Sequence, residues 1–153
     1  MAAARPSREV RAPGDRDPIS SGRARGLNVE RAVKQVLVVD DSPVIRKIAR
    51  RILEGMRLDA TEAADGRQAL AACSFEMPDA IFVDGSMPVL DGYEFLKELR
   101  SMPGGDKPKV VFCTSEHDVA QIARAMHAGA DDFIMKPFDR EHVEAKFESL
   151  GVY

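Results

Sequence analysis

From Gln35 onward, short apolar runs alternate with amphipathic stretches to the end of the 153-residue chain. Val36-Leu37-Val38-Val39 is a continuous β-branched run, the pattern of a strand covered on both faces. Ser42-Pro43 then supplies a helix cap followed by Pro at the first helical position. Val44, Ile45, Ile48, Ala49, Ile52 and Leu53 recur at helical spacing, which predicts an apolar face, with Arg46, Lys47, Arg50 and Arg51 facing water. Leu58 to Ala63 reads as a weaker strand closed by the Asp65-Gly66 turn, and Ala69, Leu70 and Ala72 as a helix ending near Pro78.

The alternation repeats three more times. Ala80 to Asp84 is a strand, and Tyr93, Leu96 and Leu99 form the stripe of the next helix. Val110 to Thr114 is a strand, followed by a helix with Val119, Ile122, Ala123 and Met126 on one side. Phe133-Ile134-Met135 is the last strand, and Val143, Phe147 and Leu150 line the last helix. Five strand–helix cycles predict an α/β domain: a doubly wound parallel sheet with helices on both faces, joined by right-handed crossovers.

Residues 1–33 break this pattern. Pro6, Pro13 and Pro18 alternate with Gly14, Gly22 and Gly26, large apolar residues are almost absent, and the segment reads as a disordered Arg-rich arm before a domain spanning 34–153. Charge divides along the same line. Residues 1–34 hold eight basic and four acidic groups, so the formal −3 of the whole chain joins a basic arm to an acidic body. Two readings of the arm stand side by side: an inert leader, or a site for an anion such as a cyclic dinucleotide, nucleic acid or lipid head group.

Composition narrows the function. With no Trp and two Tyr, an aromatic platform for nucleic acid is not indicated. No apolar window is long enough to span a bilayer, and the N-terminus lacks the apolar segment of a secretory signal. Cys73 and Cys113 lie in apolar stretches without metal-ligand spacing, so they read as small buried hydrophobes of a cytoplasmic protein. His117, His127 and His142 are too far apart in sequence for a helical zinc pair.

In open α/β sheets, ligands bind beyond the carboxyl ends of the strands. Those ends carry Asp40-Asp41, Asp84, Thr114 and, after the fifth strand, Lys136-Pro137, whereas the second strand ends in Ala63-Ala64, as an edge strand away from the crevice would. Taken alone, Asp40-Asp41 reads equally as a solvated turn and Lys136 as a surface lysine. Together, three carboxylates require a cation to stay ionised, and Mg²⁺ suits oxygen ligands while leaving room for a phosphate oxygen. A carboxylate can then attack a phosphoryl group, with Lys136 and the Thr114 hydroxyl available to stabilise its oxygens.

As a set these residues resemble the CheY-like receiver domain, the phosphoacceptor module of bacterial two-component response regulators. The likeness rests on V-L-V-V-D-D from Val36 to Asp41, V-D-G-S-M-P from Val83 to Pro88, L-D-G from Leu90 to Gly92, Thr114-Ser115, and K-P-F from Lys136 to Phe138. The spacings of 30 residues from Asp84 to Thr114 and 22 from Thr114 to Lys136 also fit. The resemblance implies the strand order 2-1-3-4-5. It makes Asp84 the phosphoacceptor, with Mg²⁺ held by Asp41, Asp84 and the Ser86 backbone carbonyl, and by Asp40 largely through water. It also implies that Lys136 pairs with the phosphate, that Thr114 moves toward it, and that Phe133, otherwise a core aromatic, is a rotameric switch. Lys136-Pro137 resembles the family's cis peptide. Asp91-Gly92 reads as a helix cap, and His117 as a loop residue.

Gly85 departs from the larger residue that many relatives carry after the phosphoacceptor. Ser86 and Glu116 flank the path of an attacking water and are expected to tune dephosphorylation. A chain ending at Tyr153 suggests a receiver without a DNA-binding or enzymatic output domain, catalysing only its own phosphorylation and dephosphorylation. The expected partners are a histidine kinase or histidine phosphotransfer protein, and an output protein on the face of the fourth helix, fifth strand and fifth helix, including Val119, Arg124, Phe133 and His142. A phosphorelay shuttle or phosphate sink, passing phosphate back to a histidine phosphotransfer protein, is the alternative.

Overall fold

A computed structural model describes residues 33–115 and 119–153. The arm up to residue 32, Glu116 and His117 lie outside the described residues. Five strands and five helices alternate: β1 (Gln35–Val39), α1 (Pro43–Gly55), β2 (Asp59–Ala63), α2 (Gly66–Phe75), β3 (Ala80–Asp84), α3 (Gly92–Ser101), β4 (Lys109–Thr114), α4 (Val119–Ala128), β5 (Asp132–Met135) and α5 (Arg140–Ser149). Every strand pairing is parallel, and the sheet order is β2-β1-β3-β4-β5. The expected architecture and order are therefore present, with β2 on the edge. Lys34–Tyr153 forms one compact unit.

The strand pattern divides the core between the two faces of the sheet. Alternate side chains point to opposite faces. Leu37, Val39, Ile81 and Val83 pack with Phe95, Leu96 and Leu99 of α3, while Val36, Val38 and Phe82 pack with Leu53 of α1 and Phe147 of α5. That is why Val36–Val39 of β1 and Ala80–Val83 of β3 are continuous apolar runs. Both cysteines are buried as expected, Cys73 in the first layer and Cys113 in the second. Burial pushes their thiols up to about 11 and about 12, so neither is a ready thiolate at neutral pH.

Helix starts follow local chemistry. Ser42 caps α1 with Pro43 behind it, Asp65 caps α2, and Asp91 caps α3 by accepting from the Glu94 N–H at 2.9 Å. Asp139 caps α5 in the same way. The α1 face is narrower than its periodicity predicts. Ala49 and Leu53 are buried, but Val44 and Ile48 are exposed. Arg46 does not face water either, and its place belongs to the site.

Candidate functional site at the carboxyl edge of the sheet

Parallel strands deliver all their carboxyl ends to one edge, and the ladder continues one residue beyond several of them. The Asp40 N–H donates to the Ala63 carbonyl at 3.2 Å, the Gly85 N–H to Cys113 at 2.9 Å, and the Lys136 N–H to Thr114 at 2.8 Å. The residues that carry the chemistry therefore stand on fixed backbone rather than on free loops. Lys136–Pro137 is a cis peptide, as expected.

Asp40, Asp41 and Asp84 each present a carboxylate oxygen, all within 4.8 Å of one another. Asp40 and Asp84 are buried and Asp41 is exposed. The Lys136 Nζ reaches both buried carboxylates, donating to Asp40 Oδ2 at 2.9 Å and to Asp84 Oδ1 at 3.2 Å. The other Asp40 oxygen accepts from the Ser42 N–H at 2.9 Å.

Electrostatics here are unbalanced. Burial, and then the charge of Asp40, push the Asp84 carboxyl above its ordinary range, against the pull of Lys136 and a hydrogen bond from the Ser86 backbone N–H. Burial lowers the Lys136 ammonium as the largest single effect, but the hydrogen bond to Asp40 and the charges of Asp84 and Asp40 together outweigh it and hold the group above its ordinary value. One ammonium faces three carboxylates. This hard-oxygen set fits a divalent ion such as Mg²⁺, with Asp41 on the solvent side giving access.

A second tier of residues was not visible in the helical pattern. Arg46 reaches back from α1 to donate to the Asp40 carbonyl at 2.7 Å and to Glu62 at 2.9 Å. It is thus a clamp holding Asp40 against β2. Arg46, then Arg50, holds the Glu62 carboxyl below its usual value through hydrogen bonds that outweigh partial burial. A group with a depressed folded-state value adds stability above its unfolded value and loses it as pH falls through the folded one. Arg46→Ala is therefore expected to cost about 1 kcal/mol near neutrality, and less once pH falls below the depressed Glu62 value, where that carboxyl is protonated in both proteins. Urea unfolding of both proteins at the two pH values checks this, and an equal cost in acid would contradict it.

A cleft of about 330 Å³ opens beside Asp84. Ser86 and Thr114 line it, together with Tyr93, Gln121 and Arg124 from α3 and α4. Ser86 is exposed and Thr114 buried at the end of β4. Of these residues, Gln121 carried no sequence signal of its own. The Tyr93 hydroxyl donates to Gln121 Oε1 at 2.5 Å, and the Arg124 guanidinium carbon lies 3.9 Å from the Tyr93 ring centroid. Arg124 thus stands against Tyr93 of α3. Phe133 is half-buried on β5, opposite Phe112 of β4, with the Lys146 ammonium 5.0 Å from its ring centroid.

The departure at Gly85 has a steric cause. A Cβ there would lie 2.5 Å from the Phe112 ring, so the aromatic on the neighbouring strand leaves no room for a side chain at this position. Gly92 is equally constrained, since its Cβ would lie 2.6 Å from the Asp84 carbonyl. Gly85→Val is expected to destabilise the fold by about 1–3 kcal/mol through overpacking, and Phe112→Leu in the same chain to recover part of that loss. Thermal unfolding of the single and double variants reads both effects, and additive losses would contradict the compensation.

Comparison with known proteins agrees with this geometry. The family model described as the response regulator receiver domain matches residues 36–148. The chain belongs to the receiver domain family of two-component response regulators. It is 37% identical over 116 residues to the response regulator MprA of Mycolicibacterium vanbaalenii, a match that covers 76% of this chain and 49% of that protein. The chain spans about half the length of the curated relatives it matches.

Solved structures give the same fold. The chemotaxis protein CheY4 of Vibrio cholerae superposes with a TM-score of 0.74 at 31% identity, covering 77% of this chain and 98% of that one. The receiver domain of the sensor histidine kinase PA1611 of Pseudomonas aeruginosa superposes with a TM-score of 0.72 at 29% identity, covering 77% and 97%, and that structure has a magnesium ion coordinated in its active site cleft. No helix among the described residues is long and apolar enough to cross a membrane.

Proposed function

We propose that Asp84 accepts a phosphoryl group from a histidine kinase or histidine phosphotransfer protein in an Mg²⁺-dependent reaction, and that the resulting acyl phosphate switches a protein-binding surface. The observation that carries this reading is the buried Asp84 carboxylate, held at 3.2 Å by Lys136 with Asp40 and Asp41 beside it. The magnesium ion of the Pseudomonas aeruginosa receiver supports the choice of metal.

In the transfer, an Asp84 carboxylate oxygen forms a bond to phosphorus as the phosphorus–nitrogen bond of the donor phosphohistidine breaks. The bonding pair leaves with the ring nitrogen, and because the other ring nitrogen keeps its proton, the leaving group is neutral imidazole. Asp40, Asp41, Asp84 and the Ser86 carbonyl would hold Mg²⁺, whose charge offsets that of the phosphoryl oxygens. Lys136, paired with Asp84 in this structure, would pair with the incoming phosphoryl group, and Thr114, which lines the cleft beside Asp84, would meet its oxygens. The switched surface is the face of α4, β5 and α5, with Phe133 reporting the movement of Thr114. Partners gain affinity through their preference for one of two states. Ser86 and Glu116 tune the loss of phosphate.

The test is intact mass measurement after incubation with phosphoramidate, with Mg²⁺ or with EDTA. A gain of one phosphoryl group with Mg²⁺ and at least tenfold less with EDTA is the expected result. No gain under either condition would overturn the reading.

A further inference from the structure

A second depression, of about 470 Å³, lies between α3 and α4 and shares Tyr93 and Arg124 with the Asp84 cleft. Lys97 and Arg100 of α3 and Arg124 and His127 of α4 line it, and its lining contains no carboxylate. This stands out in a segment, residues 35–153, that holds 14 basic and 21 acidic groups. Arg100 is committed to structure, bonding the Gly129, Gly105 and Pro108 carbonyls and Asp131. Lys97, Arg124 and His127 are exposed, and among the described residues neither Lys97 nor Arg124 is paired with a carboxylate.

We propose that this α3–α4 groove docks an acidic segment of a partner protein. Charge complementarity chooses the occupant: cations project from both helices over an aromatic floor. A lone phosphate fits poorly, because the groove far exceeds the space of one small ion. The groove's α4 lining comes from the second half of that helix, where no free backbone N–H groups are presented to cradle a phosphate. An extended chain of single carboxylates matches the separated cations instead.

The groove is also coupled to the phosphoacceptor, and this part rests on the function proposed above. Gly85, next to Asp84, abuts the Phe112 ring, whose centroid lies 4.9 Å from that of Tyr93. Tyr93 in turn carries the Arg124 guanidinium. A shift of the loop after Asp84 is therefore transmitted through two packed rings to a cation that lines both cavities.

The experiment uses the full chain and a fluorescein-labelled decapeptide of alternating Glu and Leu, read by fluorescence anisotropy at low and moderate salt. Lys97→Glu with Arg124→Glu is expected to weaken binding at least tenfold. Arg51→Glu, an exposed reversal on α1, is expected to change it less than twofold, with circular dichroism confirming that each variant is folded. Wild-type binding is expected to fall as salt rises. Equal losses in both variants, no loss in the double variant, or displacement of the peptide by inorganic phosphate at constant ionic strength would overturn the docking site. In wild type with phosphoryl uptake verified by mass, the peptide affinity is expected to shift at least threefold. Verified uptake with unchanged affinity would overturn the coupling alone, whereas absent uptake would overturn the phosphoacceptor reading and leave the charge-reversal result to decide the groove.

Discussion

Asp84→Asn is expected to abolish phosphoryl uptake and, with metal chelated, to make the folded chain more stable. The two effects share one cause. The Asp84 carboxylate is 7% exposed and stands beside the Asp40 charge, which disfavours its ionised form. Asparagine keeps the size of the side chain, removes the nucleophilic oxygen, and relieves the repulsion between two buried carboxylates that share one ammonium. Replacing a buried charge in this way stabilises by on the order of 1 kcal/mol, or roughly 3–5 °C in Tm. Mg²⁺ is expected to reverse the order, raising the Tm of wild type more than that of the variant, because binding to the native state alone adds stability. Differential scanning fluorimetry with EDTA and with Mg²⁺ reads both signs. A variant less stable than wild type in EDTA would contradict this account of the site.

Lys136→Ala is expected to act in the opposite direction on stability. Its ammonium bonds Asp40 and Asp84 across strand ends far apart in sequence, and its loss leaves two buried carboxylates facing each other. The expected cost is about 1–3 kcal/mol in the metal-free protein, with Mg²⁺ restoring much of it. Phosphoryl uptake from phosphoramidate is expected to fall roughly 10²–10³-fold, the usual loss when one donor to developing negative charge is removed. Stability and uptake measured together separate the roles. A folded variant with wild-type uptake would remove Lys136 from the chemistry and leave it a structural cation.

These effects trace back to features of very different visibility in the sequence. The strands were legible because residues buried on both faces leave continuous apolar runs such as Val36–Val39, and Asp84 and Thr114 stand at the ends of such runs. Lys136 was legible through its place before Pro137. What the pattern concealed depends on partners brought from elsewhere in the chain. Arg46 occupies a polar helical position, which periodicity assigns to water, yet β2 presents Glu62 to it and the Asp40 carbonyl lies within its reach. Val44 and Ile48 err the other way, since an apolar stripe does not say which of its positions the rest of the fold will cover. The reason for Gly85 is equally out of local view, because Phe112, whose ring fills the space beside it, lies 27 residues further along the chain. Arg124, placed by sequence on the face with Phe133, stands over the Tyr93 ring of α3, a partner that periodicity along α4 does not reveal.

The central claim is that Asp84 forms the covalent phosphoryl linkage, and the direct measurement is chemical trapping. Wild type is incubated with phosphoramidate and Mg²⁺, reduced with borohydride, which converts an aspartyl phosphate to homoserine, and then digested and sequenced by mass spectrometry. Homoserine at position 84, and at no other aspartate, is the predicted result. Homoserine at Asp40, Asp41 or another aspartate, or phosphoryl uptake that survives at full level in Asp84→Asn, would contradict it.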